Sequence, residues 1–141
     1  MMPPRHTMRS AALGSALLAC ALLPSAAQAQ KRWTQIGTTS SGNPVFVDAK
    51  TVKKSGALVS ATVRVDFVKP VETPKGAWMS ARTIGTFDCA KKSLAAKESI
   101  YYGDKTETKV VDRKVNKMPG YGPALQGSLG AIALEYLCRA K

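Results

Sequence analysis

The segment from Ala57 to Val68 alternates apolar and polar residues with a period of two, and this pattern constrains the fold most. The odd positions are apolar, with Val59, Ala61, Val63, Val65 and Phe67. The even positions between them are polar, with Ser60, Thr62, Arg64 and Asp66. Such alternation is typical of a strand with one face against a core. The chain therefore needs a sheet and a second layer that covers its apolar face.

Further strands are predicted on both sides of this segment. They span Trp33 to Gly37, Pro44 to Asp48, Trp78 to Asp88, Leu94 to Tyr102 and about Lys109 to Val115. Short connections rich in Gly, Ser, Asn and Lys separate most of them, which makes neighbouring strands antiparallel. In the segment that begins at Trp78, the odd-numbered apolar face ends at Cys89, so we expect Cys89 to point into the core.

A different period follows the loop at residues 118–123. Apolar residues recur there at helical spacing, at Leu125, Leu129, Ile132, Ala133 and Tyr136. Ser128 is a candidate N-cap, and Arg139 lies near the end, where a cation suits the helix dipole. We predict an α+β fold, in which a small antiparallel β-sheet of about six strands packs against one C-terminal helix.

The first 29 residues have the features of a signal peptide. Arg5 and Arg9 precede an uncharged run from Ala11 to Leu23, and Ala27-Gln28-Ala29 matches the small residues of a cleavage site. The run is about 13 residues, whereas a spanning helix needs about 20. We predict a signal peptide at 1–29, a single domain at 30–141 and no transmembrane segment in the mature protein, which is exported to the periplasm or the outer cell surface.

The stretch from Leu17 to Cys20 offers an alternative, because it resembles the lipobox at which bacterial lipoproteins are acylated. Against this, Leu18 stands where a smaller residue is usual, and Cys20 is followed by apolar residues instead of a polar tether. A lipoprotein anchored through Cys20 therefore remains the alternative to a freely exported protein.

Two cysteines, Cys89 and Cys138, remain after signal removal. Because an even number of cysteines in an oxidising compartment tends to pair, we predict a disulfide between them. It closes a loop of about 50 residues and contributes roughly 4 kcal/mol to the free energy of unfolding. The chain's single histidine, His6, belongs to the signal, and Cys-x-x-Cys is absent. We therefore predict no catalytic residue, no metal ligand and no cofactor, and we do not expect an enzyme. Asp48, Asp66 and Asp88 are assigned to turns and local ion pairs.

The mature protein is strongly basic. The chain has 21 Lys and Arg against 9 Asp and Glu, and loss of Arg5 and Arg9 leaves 19 against 9, or +10. In an exported protein this excess favours anionic proteins and envelope polymers as partners instead of nucleic acid. Simple solubility is the alternative explanation. The binding candidates are Lys53 and Lys54 in one predicted turn, Lys91 and Lys92 in another, and Arg64 and Arg82 on the predicted solvent face of the sheet.

Aromatic residues are a second, weaker set of candidates. Trp78 and the pair Tyr101-Tyr102 lie in predicted strands. Alternation sends one of the two tyrosines inward, and strand aromatics more often pack in a core than bind a partner.

The order and spacing of these features resemble the surface-adhesin protein E family over residues 30–141. The matching features are a signal peptide, Trp33 with Ile36-Gly37, Val45-Phe46-Val47-Asp48, Thr51-Val52, a turn at Gly56, a long alternating strand, Phe87-Asp88-Cys89, Tyr101-Tyr102-Gly103 and a final helix with Cys138. The resemblance implies a small antiparallel sheet against a C-terminal helix and a disulfide between the two cysteines. One departure is Gly120-Tyr121-Gly122, where a family tryptophan is absent.

For the family's namesake, the resemblance implies a role at the bacterial surface in attachment to host matrix and serum proteins. We therefore expect an exported adhesin E-like protein that binds host extracellular-matrix or serum proteins, or other anionic envelope partners. The alternative is a periplasmic envelope-binding protein of unknown ligand that is not displayed at the surface. The sequence leaves the oligomeric state open.

Overall fold

The computed structural model describes residues 32–139. The predicted signal peptide at 1–29, including Cys20, lies outside the described residues.

An antiparallel sheet of eight strands makes up most of the described chain. The strands are β1 (Trp33–Thr38), β2 (Pro44–Asp48), β3 (Lys53–Ser55), β4 (Leu58–Val71), β5 (Trp78–Asp88), β6 (Ser93–Tyr102), β7 (Val110–Val115) and β8 (Gly122–Pro123). Their order is β1-β2-β4-β5-β6-β7, with β3 paired to β4 and β8 paired to β6. A 3-10 turn (Ala49–Thr51) follows β2, and the helix α1 (Leu129–Arg139) ends the described chain. The predicted α+β class is confirmed, with two short strands more than expected.

The segment that contains Lys53 and Lys54 is a strand, and its prediction as a turn is wrong. The three residues of β3 pair with β4 in the register Lys53 to Ser60, Lys54 to Val59 and Ser55 to Leu58. Only Gly56 and Ala57 form the turn between the two strands. Gly56 has a φ of +59°, which glycine adopts without steric cost. The turn is therefore tight enough for the flanking lysines to join the sheet.

The main core lies between one face of the sheet and α1. Its buried members are Val45, Val47, Val59, Ala61, Val63, Val65, Ala81 and Phe87 from the strands and Ala133, Leu134 and Leu137 from the helix. The strand members include the odd-numbered residues of β4 up to Val65. The helix thus supplies the second layer that the alternation in β4 requires.

The helix begins at Leu129, four residues later than the apolar stripe suggested. Ser128 is its N-cap, because the Ser128 hydroxyl accepts a hydrogen bond from the backbone N–H of Ala131 at 3.2 Å. Gly127 precedes the cap with a φ of +74°. Leu125 therefore lies outside the helix and is 73% exposed, so its assignment to the helical stripe is wrong.

A disulfide between Cys89 and Cys138 joins the turn after β5 to the last turn of α1. The two sulfur atoms are 2.03 Å apart, and the residues are 49 positions apart in sequence. The predicted bridge between helix and sheet is confirmed.

Residues 103–109, called the covering loop below, lie across the second face of the sheet. The Ser80 hydroxyl donates to the carbonyl of Asp104 at 2.6 Å, and Arg64 Nη2 donates to the carbonyl of Lys105 at 2.5 Å. Ser80 and Tyr102 are consequently 0% and 3% exposed. The alternating pattern predicted one covered face, whereas both faces are covered in part.

Candidate functional site

The two predicted lysine pairs lie at the same end of the sheet. The backbone N–H of Cys89 donates to the carbonyl of Ala57 at 2.9 Å, and this bond joins the β5–β6 turn to the β3–β4 turn. All four lysines are exposed. We call this surface the basic end and define it by Lys53, Lys54, Lys91 and Lys92.

The β5–β6 turn is ordered by its own aspartate. One carboxylate oxygen of Asp88 accepts the backbone N–H groups of Ala90 and Lys91, both at 3.0 Å. Lys92 follows with a φ of 50°, a left-handed conformation that turns the chain into β6. The short side chain of Asp88 and the left-handed backbone at Lys92 therefore fix the conformation of this turn.

A shallow cleft of about 320 Å³ lies beside the basic end. It is formed by the turn, the disulfide and α1, with the lining residues Cys89, Lys92, Ala124, Ala131, Leu134, Glu135 and Cys138. Most of its lining is apolar, with Lys92 and Glu135 as the charged members. The arrangement suits an apolar side chain that is flanked by charged groups on a partner surface.

Arg64 and Arg82 are not part of the basic end. They are directly paired on β4 and β5 and lie on the second face of the sheet. Their side chains are only 11% and 23% exposed. The prediction that they lie on an open solvent face is wrong, because the covering loop extends across them.

Each of these two arginines has a carboxylate neighbour. Arg64 Nη2 lies 2.7 Å from Oδ1 of Asp66, and Arg82 Nη1 lies 3.4 Å from Oε2 of Glu107. The Arg82 guanidinium also lies 5.7 Å from the ring centroid of Tyr102. Burial raises the pKa of the Tyr102 phenol above its ordinary value, and the charge of Arg82 partly opposes this shift.

Aromatic rings flank the other arginine. The Arg64 guanidinium lies 5.7 Å from the ring centroid of Trp33 and 5.8 Å from that of Phe46. Arg32 lies 5.2 Å from the Trp33 ring as well. Cations over aromatic faces are stabilised most where water is excluded, as it largely is around Arg64.

The aromatic candidates occupy both faces. Trp78 and Tyr101 stack with centroids 3.9 Å apart and an interplanar angle of 22°, and Lys114 Nζ lies 5.3 Å from the Tyr101 centroid. Tyr102 points to the opposite face and is buried there by the covering loop. Sequence reasoning missed Glu107 as a member of these clusters, because its contact with Arg82 is set by the path of the loop.

The three aspartates considered for acid and base chemistry have separate structural roles. Asp48 accepts Arg32 Nε at 2.6 Å and the backbone N–H of Lys50 at 3.1 Å, while Asp66 pairs with Arg64 and Asp88 orders its turn. Within residues 32–139, His, Cys, Asp and Glu form no group of three that suits a metal ion. In the same part of the chain, no helix has the length and apolar character that crossing a membrane requires.

Comparison with known families adds to this description. The sequence profile of surface-adhesin protein E matches residues 33–139. The chain belongs to the surface-adhesin protein E family. The resemblance noted from residue order and spacing is thereby confirmed, and the disulfide that it implied is present in this family member.

Solved structures of Haemophilus influenzae protein E share the fold of this adhesin E family member. Crystal form II has a TM-score of 0.54 at 13% identity, with 77% of this chain and 87% of that chain covered. The selenomethionine form has a TM-score of 0.52 at 14% identity, with 77% and 86% covered. At such low identity the similarity extends to the fold alone. A comparison with curated proteins finds no significant match.

Proposed function

We propose that this family member is an exported bacterial adhesin-like protein that attaches through its basic end. Its partners are acidic surfaces of host extracellular-matrix or serum proteins, or other anionic envelope polymers. The observation that carries the proposal is that Lys53-Lys54 in β3 and Lys91-Lys92 in the β5–β6 turn lie at the same end of the sheet.

The charge around the basic end supports attraction of an anion. Two acidic side chains at this end have other roles, since Asp88 accepts backbone N–H groups and Glu135 pairs with Arg139 on α1. Several cations at one end of a small protein attract acidic partners and accelerate their association. The apolar cleft beside Lys92 adds a contact that charge alone does not provide.

A matched pair of charge-reversal variants tests this assignment. Lys53→Glu with Lys91→Glu alters the basic end, whereas Lys69→Glu with Lys117→Glu alters exposed lysines elsewhere, near the far end of β4 and after β7. Each exchange lowers the net charge by two units, so both double variants lose four. Binding to immobilised extracellular matrix, serum proteins and an acidic polysaccharide is then measured.

We expect the basic-end variant to associate about tenfold more slowly or worse, and the control variant to associate nearly normally. The melting temperatures of both should stay close to that of the unaltered protein, since exposed charges contribute little to stability. If both variants lose the same amount of association rate, the effect comes from net charge alone, and the basic end is not the binding surface.

The alternative is a periplasmic envelope-binding protein that never reaches the outer surface. It is favoured by the stretch Leu17 to Cys20, which lacks the polar tether of a lipoprotein. Protease treatment of intact cells separates the two proposals, because a displayed protein is cleaved and a periplasmic one is protected until the outer membrane is opened.

A further inference from the structure

The direct pairing of Arg64 with Arg82 calls for a compensating anion. Like charges directly opposite each other on neighbouring strands destabilise a sheet. Both side chains are largely covered, so water screens this repulsion less than it would on an open surface. Asp66 compensates Arg64 at 2.7 Å, which leaves Arg82 as the guanidinium that needs an anion.

Glu107 meets this need incompletely. Its Oε2 lies 3.4 Å from Arg82 Nη1, at the long end for an ion pair with a direct hydrogen bond. Arg82 Nε and Glu107 Oε1 are both buried without a hydrogen-bond partner. A guanidinium offers Nε–H and Nη–H side by side to two oxygens of one carboxylate, and Glu107 uses only one of these positions.

The covering loop also holds Glu107 in an uncommon backbone conformation. Its φ is 60°, which is rare for a residue other than glycine, asparagine or aspartate. The conformation is held by the Asp104 carboxylate, which accepts the backbone N–H groups of Thr106, Thr108 and Lys109 at 3.2, 3.1 and 2.9 Å. The loop thus delivers a carboxylate to Arg82 at some cost in backbone energy.

We propose that Arg82, directly opposite Arg64, is a carboxylate-binding site and that Glu107 is its internal competitor. A partner carboxylate takes Arg82 Nε and Nη together and displaces the Glu107 side chain into solvent, since Glu107 lies in a surface loop. The site lies on the second face of the sheet, apart from the basic end, so this proposal does not rest on the one above.

The surroundings favour a carboxylate at this position. The anion already beside Arg82 is the carboxylate of Glu107, which shows that this group fits between the covering loop and the sheet. Tyr102 lies against the guanidinium of Arg82, and the rings of Trp33 and Phe46 lie against that of Arg64. These rings limit access of water, which strengthens a guanidinium–carboxylate pair.

Removal of the competing charge tests the proposal. Glu107→Gln should bind glutarate and a hexaglutamate peptide about tenfold more tightly than the unaltered protein, because the site no longer holds its own carboxylate. Glu72→Gln is the matched control, since Glu72 is an exposed carboxylate in the loop after β4, outside both the basic end and the covering loop. The Nε–Hε resonance of Arg82 in ¹⁵N-labelled protein should shift as either ligand is added.

Comparison of the two ligands identifies the source of the carboxylate. A larger gain in affinity from Glu107→Gln for the peptide indicates an acidic partner protein, and an equal or larger gain for glutarate indicates a small free acid. The variant Lys53→Glu with Lys91→Glu should bind glutarate normally, so failure of this site and failure of the basic end are distinguishable.

A second variant checks the geometry. Glu107→Gln with Arg82→Lys keeps the positive charge and loses the two-pronged donor, so the gain in affinity should disappear while cooperative melting is retained. An equal gain for Glu107→Gln and Glu72→Gln would overturn the proposal. So would an Arg82 Nε–Hε resonance in Glu107→Gln that stays unmoved at saturating ligand, a result that does not depend on whether the lysine variant folds.

Discussion

A β-carbon built on Gly37 would lie only 2.7 Å from Cγ2 of Ile132. Gly37 belongs to β1 beside a register irregularity, and Ile132 is on the face of α1 that packs against the sheet. The helix therefore approaches β1 so closely that only a residue without a side chain fits beneath Ile132.

Gly37→Ala should destabilise the protein by about 1 to 3 kcal/mol, because an added methyl group overpacks this contact. Ile132 cannot easily turn away, since β-branched side chains in helices strongly prefer one χ1 rotamer. Chemical denaturation measures the effect, with Gly120→Ala as the control because a β-carbon there meets nothing within 4 Å. Equal stability of both variants would contradict the close contact.

Removal of the disulfide should cost about 2 to 5 kcal/mol in the free energy of unfolding. The bond between Cys89 and Cys138 closes a long loop and restricts the unfolded chain. Denaturation of the double variant Cys89→Ser with Cys138→Ser measures the loss. Addition of a reductant should destabilise the unaltered protein and leave the double variant unchanged, and the opposite outcome would show that the bond has no stabilising role.

The pKa of the Asp104 carboxyl should lie below the ordinary value of about 3.9. The main cause is its hydrogen bond with the Thr108 hydroxyl, with additional bonds from the backbone N–H groups of Thr108, Lys109 and Thr106. Because folding lowers this pKa, ionised Asp104 stabilises the folded protein at pH values above the ordinary pKa. This stabilisation is lost as the pH falls through the lower pKa of the folded state. NMR titration measures it, and Thr108→Ala should raise the pKa of Asp104. An unchanged pKa in that variant would contradict this cause.

Attachment through the basic end should weaken with salt. The Debye length falls from about 10 Å at 0.1 M to about 3 Å at 1 M, so exposed lysines attract an acidic partner over a shorter range. Association rates measured across this range should fall most steeply for the unaltered protein and less steeply for Lys53→Glu with Lys91→Glu. Rates that are independent of salt would assign the basic charge to solubility instead.

Processing of the chain should yield a mature protein that begins at Gln30. The motif Ala27-Gln28-Ala29 motivates this expectation. Intact-mass measurement of the exported protein checks it, together with one disulfide in the mature form. A mass that corresponds to an acylated Cys20 would establish the lipoprotein alternative.

Much of the fold could be predicted because it depends on local periodicity. Alternation located β4, the turn signals separated the strands, and Ser128 marked the start of the helix. Apolar spacing places Leu125 in the helix, although Gly127, whose backbone is left-handed, lies between Leu125 and the N-cap. Spacing alone does not show where a helix is interrupted.

The environment of the arginines could not be predicted in the same way. Arg64 and Arg82 occupy polar positions in strands, which normally indicates an exposed face. Their burial depends on the path of the covering loop, and this path is set by the hydrogen bonds of Asp104 and by the backbone at Glu107. The convergence of the two lysine pairs likewise depends on the pairing of β4 with β5, which brings together turns that are distant in sequence.

The two layers on either side of the sheet differ in what holds them. The helix is held by buried apolar side chains and a covalent bond, whereas the covering loop is held largely by hydrogen bonds and ion pairs. Lifting the loop therefore leaves the main core intact, so it should open as a separate cooperative unit at a lower free energy than global unfolding. Amide hydrogens of residues 104–109 should accordingly exchange with solvent long before those of Val63 and Phe87. The helix side of the sheet is then rigid, whereas the loop side fluctuates independently.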